Sequence, residues 1–179
     1  MRPAETGKVA FITLLPALLM SLAQPVQAQF LGAFDYFGRG NYCKARELWL
    51  DDWKRRDSSA ALGLAETYAR GLCVKEDQQR ASLWYLRAAQ SGSARARSEL
   101  GLRFAYGRGV GQDYFKSYVW LQAARITASP WERSLLDAVQ QNIAVVRSRL
   151  TSEQRVRAEA ILADYAVDHV LPNELSGLD

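Results

Sequence analysis

The sequence predicts an all-α solenoid of stacked antiparallel helix pairs, and three observations carry that expectation. The first is a self-similarity at 36 residues. One register pairs Ala60 with Ala96, Leu64 with Leu100, Tyr68 with Phe104, Gly71 with Gly107, Val74 with Val110, Asp77 with Asp113, Ala81 with Ser117, Trp84 with Trp120 and Ala88 with Ala124. The second is periodicity: Ala81, Trp84, Tyr85 and Ala88 fall at i, i+3, i+4 and i+7, one face of a helix. The third is that no strand-like alternation of any length survives beside these patterns. A fixed period of this length marks a repeat array in which each unit buries its apolar face against its neighbours.

Composition narrows the field of functions. Of 179 residues, 49% are hydrophobic and 23% charged, ordinary for a folded domain and too apolar for a disordered chain. Lys and Arg number 23 against 19 Asp and Glu, and a net charge of +4 is too mild to imply nucleic acid by itself. With two cysteines and one histidine, a four-ligand Cys/His zinc site cannot be assembled within one chain, and a disulfide-dense mini-fold is excluded.

Residues 1–28 read as a secretory signal peptide. Arg2 and Lys8 supply a positive start, an uncharged apolar stretch runs from Val9 to Leu22, and Val26-Gln27-Ala28 places small residues before a cleavage point at Gln29. The stretch of 14 residues is short of the ~20 that span a bilayer as a helix. Cleavage leaves 151 residues of net charge +3, expected outside the cytoplasm, in the periplasm or secreted.

Residues 29–57 form a degenerate first copy and cap. Gly38-Arg39-Gly40 separates a short apolar segment from a helix carrying Tyr42, Ala45, Leu48, Trp49 and Trp53. Residues 58–92 are the first full repeat. Ser58 or Ser59 caps a helix with Ala60, Ala61, Leu64, Ala65 and Tyr68, Gly71 ends it, and Asp77 caps the next. Residues 93–128 copy this with Ser93, Gly107 and Asp113. Alanines are expected where helices cross, with tryptophans filling the space between layers.

These residues resemble the Sel-one-like repeat (SLR) family, close kin of tetratricopeptide repeats. The pattern stands here as Ala96, Leu100-Gly101, Tyr106, Gly107-Arg108-Gly109-Val110, Asp113, Trp120 and Ala123-Ala124. Its first copy is Leu62-Gly63, Tyr68, Gly71-Leu72-Cys73-Val74, Asp77, Arg80-Ala81, Trp84-Tyr85 and Ala88-Ala89. Cys73 replaces the second Gly, Ser117 replaces an Ala, and the first Leu-Gly pair lies two positions out of register. The resemblance implies a right-handed solenoid and an adaptor role in envelope, secretion or signalling assemblies.

Residues 129–171 read as a C-terminal helical cap. Ser129-Pro130-Trp131-Glu132 has the form of a capping box, and Trp131, Leu135, Val139, Ile143, Val146 and Leu150 then recur at steps of three or four. Thr151-Ser152-Glu153-Gln154 starts a last helix with Val156, Ala160, Ala163 and Val167 on its apolar face. Residues 172–179 are expected to be a flexible tail.

Little in the sequence points to catalysis. His169, the one histidine, suits the negative end of a helix dipole and has no nucleophile motif beside it. The run Gly107 to Gly111 lacks the strand before it and the Lys-Ser/Thr after it that a phosphate loop needs. No catalytic residue, cofactor or metal is expected. The leading function is an exported, non-enzymatic interaction module that takes a peptide or protein on its concave face. One alternative, implied by the resemblance, is a β-lactam-binding or hydrolysing enzyme like the cysteine-rich exported members, though no Ser-x-x-Lys motif appears here. Another is a structural subunit of an envelope complex.

Two site expectations follow. Cys43 and Cys73 fall on the same edge of neighbouring layers, so an oxidising compartment permits a disulfide between them; two buried thiols are the alternative. The first helix of each repeat is expected to line the inner face. Thr67, Arg70, Arg95 and Arg103, with Arg97 and Arg108 near them, then concentrate positive potential that suits an acidic peptide, or an anionic envelope polymer second. The alternative for these arginines is a solvated helix face. No nucleic acid and no stable membrane insertion after cleavage are expected, and the oligomeric state is open.

Overall fold

Helix follows helix along the chain, each begun and ended by the residues that local chemistry favours. The computed structural model describes residues 32–55 and 57–175. The expected signal peptide and the last four residues of the expected tail lie outside them. Among the described residues the elements are α1 (Ala33–Gly38), α2 (Tyr42–Lys54), α3 (Ala60–Arg70), α4 (Gln78–Gln90), α5 (Ala94–Tyr106), α6 (Tyr114–Thr127), α7 (Arg133–Arg147), α8 (Ser152–Asp168) and a 3₁₀ turn (Asn173–Leu175), with no strand. None of these helices is long and apolar enough to cross a membrane.

The two repeats start and stop alike. Asp77 accepts from the Arg80 N–H and Asp113 from the Lys116 N–H, both at 2.9 Å. Gly71 and Gly107 end α3 and α5 in the left-handed region, at φ 65° and 67°, where a Cβ would be strained. From α1 to α7 consecutive helices pack side by side, α3, α5 and α7 forming one layer against α2, α4 and α6, and α8 packs back on α6.

Three apolar clusters run along the stack. Trp49 anchors the first with Ala45, Ala60 and Leu64. Tyr85, Leu100, Phe104 and Trp120 fill the second among buried alanines. Val119, Leu121, Val139, Ile143 and Val146 build the third under the C-terminal helices. The alanines admit close crossings: Ala60, Ala61, Ala65, Ala81 and Ala96 are all fully buried. Gly63 allows a closer one, since a Cβ there would lie 2.2 Å from the Trp49 ring. Trp49 and Trp120 are core residues, as their helical spacing implied.

The C-terminal region departs from expectation in three places. α7 begins at Arg133, after a turn at Pro130 and Trp131. Half of the expected capping box forms, with the Ser129 N–H donating to the Glu132 carboxylate at 2.8 Å, and Glu132 itself becomes the N-cap residue. Trp131 is left 83% exposed rather than opening the apolar stripe. On α8 the buried face is Ala158, Ile161, Leu162 and Tyr165, while Val156 and Val167 are exposed. The true stripe lies two positions away from the expected one. Finally, Pro172–Leu175 is not a free tail. Leu175 is buried, and its carbonyl accepts from the Trp120 indole N–H at 3.0 Å.

Candidate functional site

The layer of α3, α5 and α7 carries the polar hollows that can receive a partner. On α5, Arg95, Glu99 and Arg103 are spaced four apart, so they form one stripe along the helix. α3 sets Glu66 and Arg70 beside them. Arg70, Tyr85, Glu99, Arg103 and Arg108 surround a cavity of about 300 Å³ together with Glu66. A second hollow of about 400 Å³ adjoins it, shares Glu99, and is lined by Arg95, Glu132, Ser134 and Leu135.

The electrostatics of this groove are mixed. Arg95 reaches Glu66 at 3.9 Å, a partly exposed pair. Burial, and then the nearby charge of Glu66, hold the Glu99 carboxyl above the usual glutamate range, although Arg103, Arg95 and Arg108 pull it down. The Tyr85 phenol is pushed well above its ordinary value, mainly by burial and then by Glu66 and Glu99. Arg70 and Arg108 are exposed at the lip, with no carboxylate within ion-pair distance among the described residues.

Two expected partner-binding residues are instead parts of the fold. Thr67 is fully buried, and its hydroxyl donates to the Leu64 carbonyl at 2.8 Å. Arg103 is 5% exposed. Its Nη1 lies within hydrogen-bonding distance of the Gln78 carbonyl, Gln78 Oε1, Ser82 Oγ and the Arg108 carbonyl, at 3.0–3.2 Å. Its Cζ sits 4.6 Å from the Tyr85 ring centroid. A guanidinium held this way locks the end of α5 onto the start of α4 and is not free to take a peptide. Arg97 is likewise buried, on the other side of α5.

Arg70 and Arg95 do line the groove. Glu66, Tyr85 and Glu99 join them without having been foreseen. Glu99 carries a signal, since it stands midway in the Arg95–Arg103 stripe. Glu66 carries none from the repeat, because its counterpart in the next copy is Leu102.

The structure joins Cys43 to Cys73 as a disulfide, with Cα atoms 5.0 Å apart. Both residues are exposed, so the bridge ties the surface edge of the stack rather than its core. Cys73 has φ 62°, the same left-handed conformation that Gly109 takes at φ 70° in the next repeat. Among the described residues no group of three or more His, Cys, Asp or Glu side chains is placed to hold a metal ion. His169 ends α8 in the left-handed region and meets Tyr165 edge-on, with ring centroids 5.6 Å apart.

Comparison with known proteins agrees with this geometry. The Sel1 repeat model matches residues 58–93 and again 94–125. A search of curated proteins found no match. Among solved structures, a protective antigen present in uropathogenic Escherichia coli strains and displaying an SLR fold is similar, with a TM-score of 0.66 and 24% identity. The similarity covers 80% of this chain but only 30% of that one. At this identity the likeness speaks for the fold alone. The chain therefore matches the Sel1 repeat model at two consecutive places and shares the all-helical SLR fold.

Proposed function

We propose that this protein is an exported, non-enzymatic interaction module that holds an acidic peptide segment of a partner protein along the α3–α5–α7 face. Sel1 repeats generally mediate protein interactions, which supports the broad class. The observation that carries the finer reading is the groove itself. Arg70 and Arg108 stand exposed at its lip without carboxylate partners, while Arg95 is only loosely engaged by Glu66. Arginine forks suit carboxylates in planar, paired geometry. The export half rests on the charged, apolar and small-residue parts of residues 1–28.

A fluorescent Glu-rich peptide and its Gln-substituted counterpart test the groove by anisotropy at physiological salt. The acidic peptide is expected to bind at least about tenfold more tightly, as several charge-assisted contacts imply. Arg70→Glu with Arg108→Glu should abolish the difference, and neither side chain holds the fold together. Equal binding of the two peptides would remove the groove from consideration. N-terminal sequencing of protein recovered from its native host should begin at or near Gln29; retention of Met1 would remove export.

A further inference from the structure

A third cavity, of about 280 Å³, lies on the other side of α5, between the α4–α5 turn and the end of α8. Arg95 and Arg97 are two positions apart, about 200° around the helix, so Arg97 faces away from the groove. Arg97 lines this cavity with Trp120, Tyr165, His169 and Leu171. We propose that it is a binding site for a carboxylate carried on a small aromatic or apolar body.

The argument begins with Arg97. The residue is 5% exposed, and its Nε and Nη1 are buried with no acceptor. No carboxylate among the described residues forms an ion pair with it. Its one close contact of note is the Tyr165 ring, with Cζ 5.5 Å from the centroid. Burial pushes the guanidinium below the ordinary arginine range; the Tyr165 phenol pulls the other way, and no carboxylate does. Buried charges are normally paired, and each unsatisfied buried donor in a native structure calls for an explanation. Arg103 on the same helix shows the contrast at one nitrogen: its Nε also lacks a partner, but its Nη1 is ringed by four oxygens where that of Arg97 has none.

The walls define the rest of the ligand. Trp120 already spends its indole N–H on the Leu175 carbonyl, so it offers the cavity a ring rather than a donor. Tyr165 is held edge-on by His169, and Leu171 adds an aliphatic wall. One guanidinium, in a lining that adds Gln90 and His169 to aromatic and aliphatic walls, suits a single carboxylate better than a more highly charged anion. The volume falls just under the ~300–1,000 Å³ of pockets that enclose a drug-sized ligand, which fits a ring bearing one acidic group. Such a carboxylate can belong to a free small acid or to the C-terminus of a peptide.

Phenylacetate and phenylacetamide, titrated into the full chain at millimolar concentration, separate charge recognition from simple filling. Phenylacetate is expected to raise the thermal midpoint and shift the indole N–H resonance of Trp120, while the amide does neither. Arg97→Met should weaken the acid at least about tenfold, in line with loss of a charge-assisted contact. Arg97→Lys should retain part of the binding. A Gly-Gly-Phe peptide with a free C-terminus, beside its amidated form, tells whether the natural source is a chain end. Equal responses to acid and amide would overturn the proposal, as would a response that survives in Arg97→Met or no response to either carboxylate. If Arg97→Met does not fold, the acid–amide contrast in the native chain decides alone.

Discussion

The same joint is made twice in this molecule, with different chemistry each time. In both repeats the turn after the inner helix leans on the start of the preceding outer helix. At the second joint Gly109 presses against the backbone of Gln78, Ser82 donates to the Arg108 carbonyl, and Arg103 binds the assembly together. At the first joint the equivalent positions hold Cys73, Arg46, Leu72 and Thr67. Thr67 turns inward to its own helix, Arg46 reaches the Tyr68 hydroxyl at 3.3 Å, and Cys73 is bonded to Cys43, the counterpart of Gln79. A hydrogen-bonded hub in one layer stands where a covalent tie stands in the other. The repeat thus specifies a backbone approach, and whatever satisfies that approach is acceptable.

The most damaging single change should be at the hub's glycine. A Cβ at Gly109 would lie 2.1 Å from the Gln78 carbonyl oxygen and 2.7 Å from the Gln79 nitrogen, both backbone atoms at the start of α4. The φ of 70° adds a left-handed penalty. Gly109→Ala is therefore expected to cost about 4 kcal/mol, overpacking and backbone strain together. Urea denaturation checks this. A loss under about 1 kcal/mol, the scale of an ordinary surface change, would mean that the turn does not bear on α4.

The covalent joint should come next. Closing a loop of separation 30 gives a chain-entropy stabilisation of about 3–4 kcal/mol, and Cys43→Ser with Cys73→Ser should lose about that much. The exposed position of both residues makes the bridge accessible to reductant, so dithiothreitol should lower the midpoint of the native chain and leave the double variant unmoved. Alkylation without reductant, read by intact mass, must find no free thiol in protein from an oxidising compartment.

Much of this architecture is legible in the residues because it rests on side chains with narrow roles. Asp77, Ser93, Asp113 and Thr151 cap helices, and Gly71 and Gly107 end them, since few other residues satisfy those termini. The α8 stripe is less legible. Val156 and Val167 look more apolar than Ala158, yet Ala158 and Tyr165 are the buried pair, because contact with α6 sets the rotation of the helix. Arg103 is illegible for a different reason. Two of its acceptors are main-chain carbonyls, which every residue carries, so nothing in the composition separates it from the exposed Arg70. Glu66 and Glu99 come together only through tertiary packing of α3 on α5.

The hub arginine allows a direct comparison of the two layers. Removing it as Arg103→Met relieves a buried charge but takes the charged donor from Gln78 Oε1 and from the Gln78 and Arg108 carbonyls, leaving those two carbonyls to share the Ser82 hydroxyl. An expected loss of about 2–3 kcal/mol follows from charge-assisted hydrogen bonds of this kind. Thr67→Val at the equivalent position deletes one neutral hydrogen bond within a helix turn and should cost about 1 kcal/mol or less. Chemical denaturation of both variants orders them. If the two losses are equal, the hydrogen-bonded hub has no privileged part in the second joint.

The smallest effect should be one of pH, and it too belongs to one layer alone. Glu99 has Gly63 as its counterpart in the first repeat, so only the second carries a carboxyl at this place. Burial and Glu66 raise its pKa from the ordinary value of 4.5. A carboxylic acid whose pKa is higher in the folded chain favours the fold while protonated. That contribution is fully present below the unfolded value and is lost as pH rises through the folded one. At neutral pH the ionised Glu99 therefore opposes folding relative to a neutral group of the same shape. Glu99→Gln should raise the urea midpoint near pH 7, and the difference from the native chain should close as pH falls below about 4, under the unfolded glutamate value. Arg95, Arg103 and Arg108 partly offset the penalty, which is why the gain ranks below the losses above. An opposite sign near neutrality would show that these arginines outweigh burial and Glu66, and that Glu99 is a stabilising partner of the hub. A gain that does not change with pH would trace to packing rather than charge.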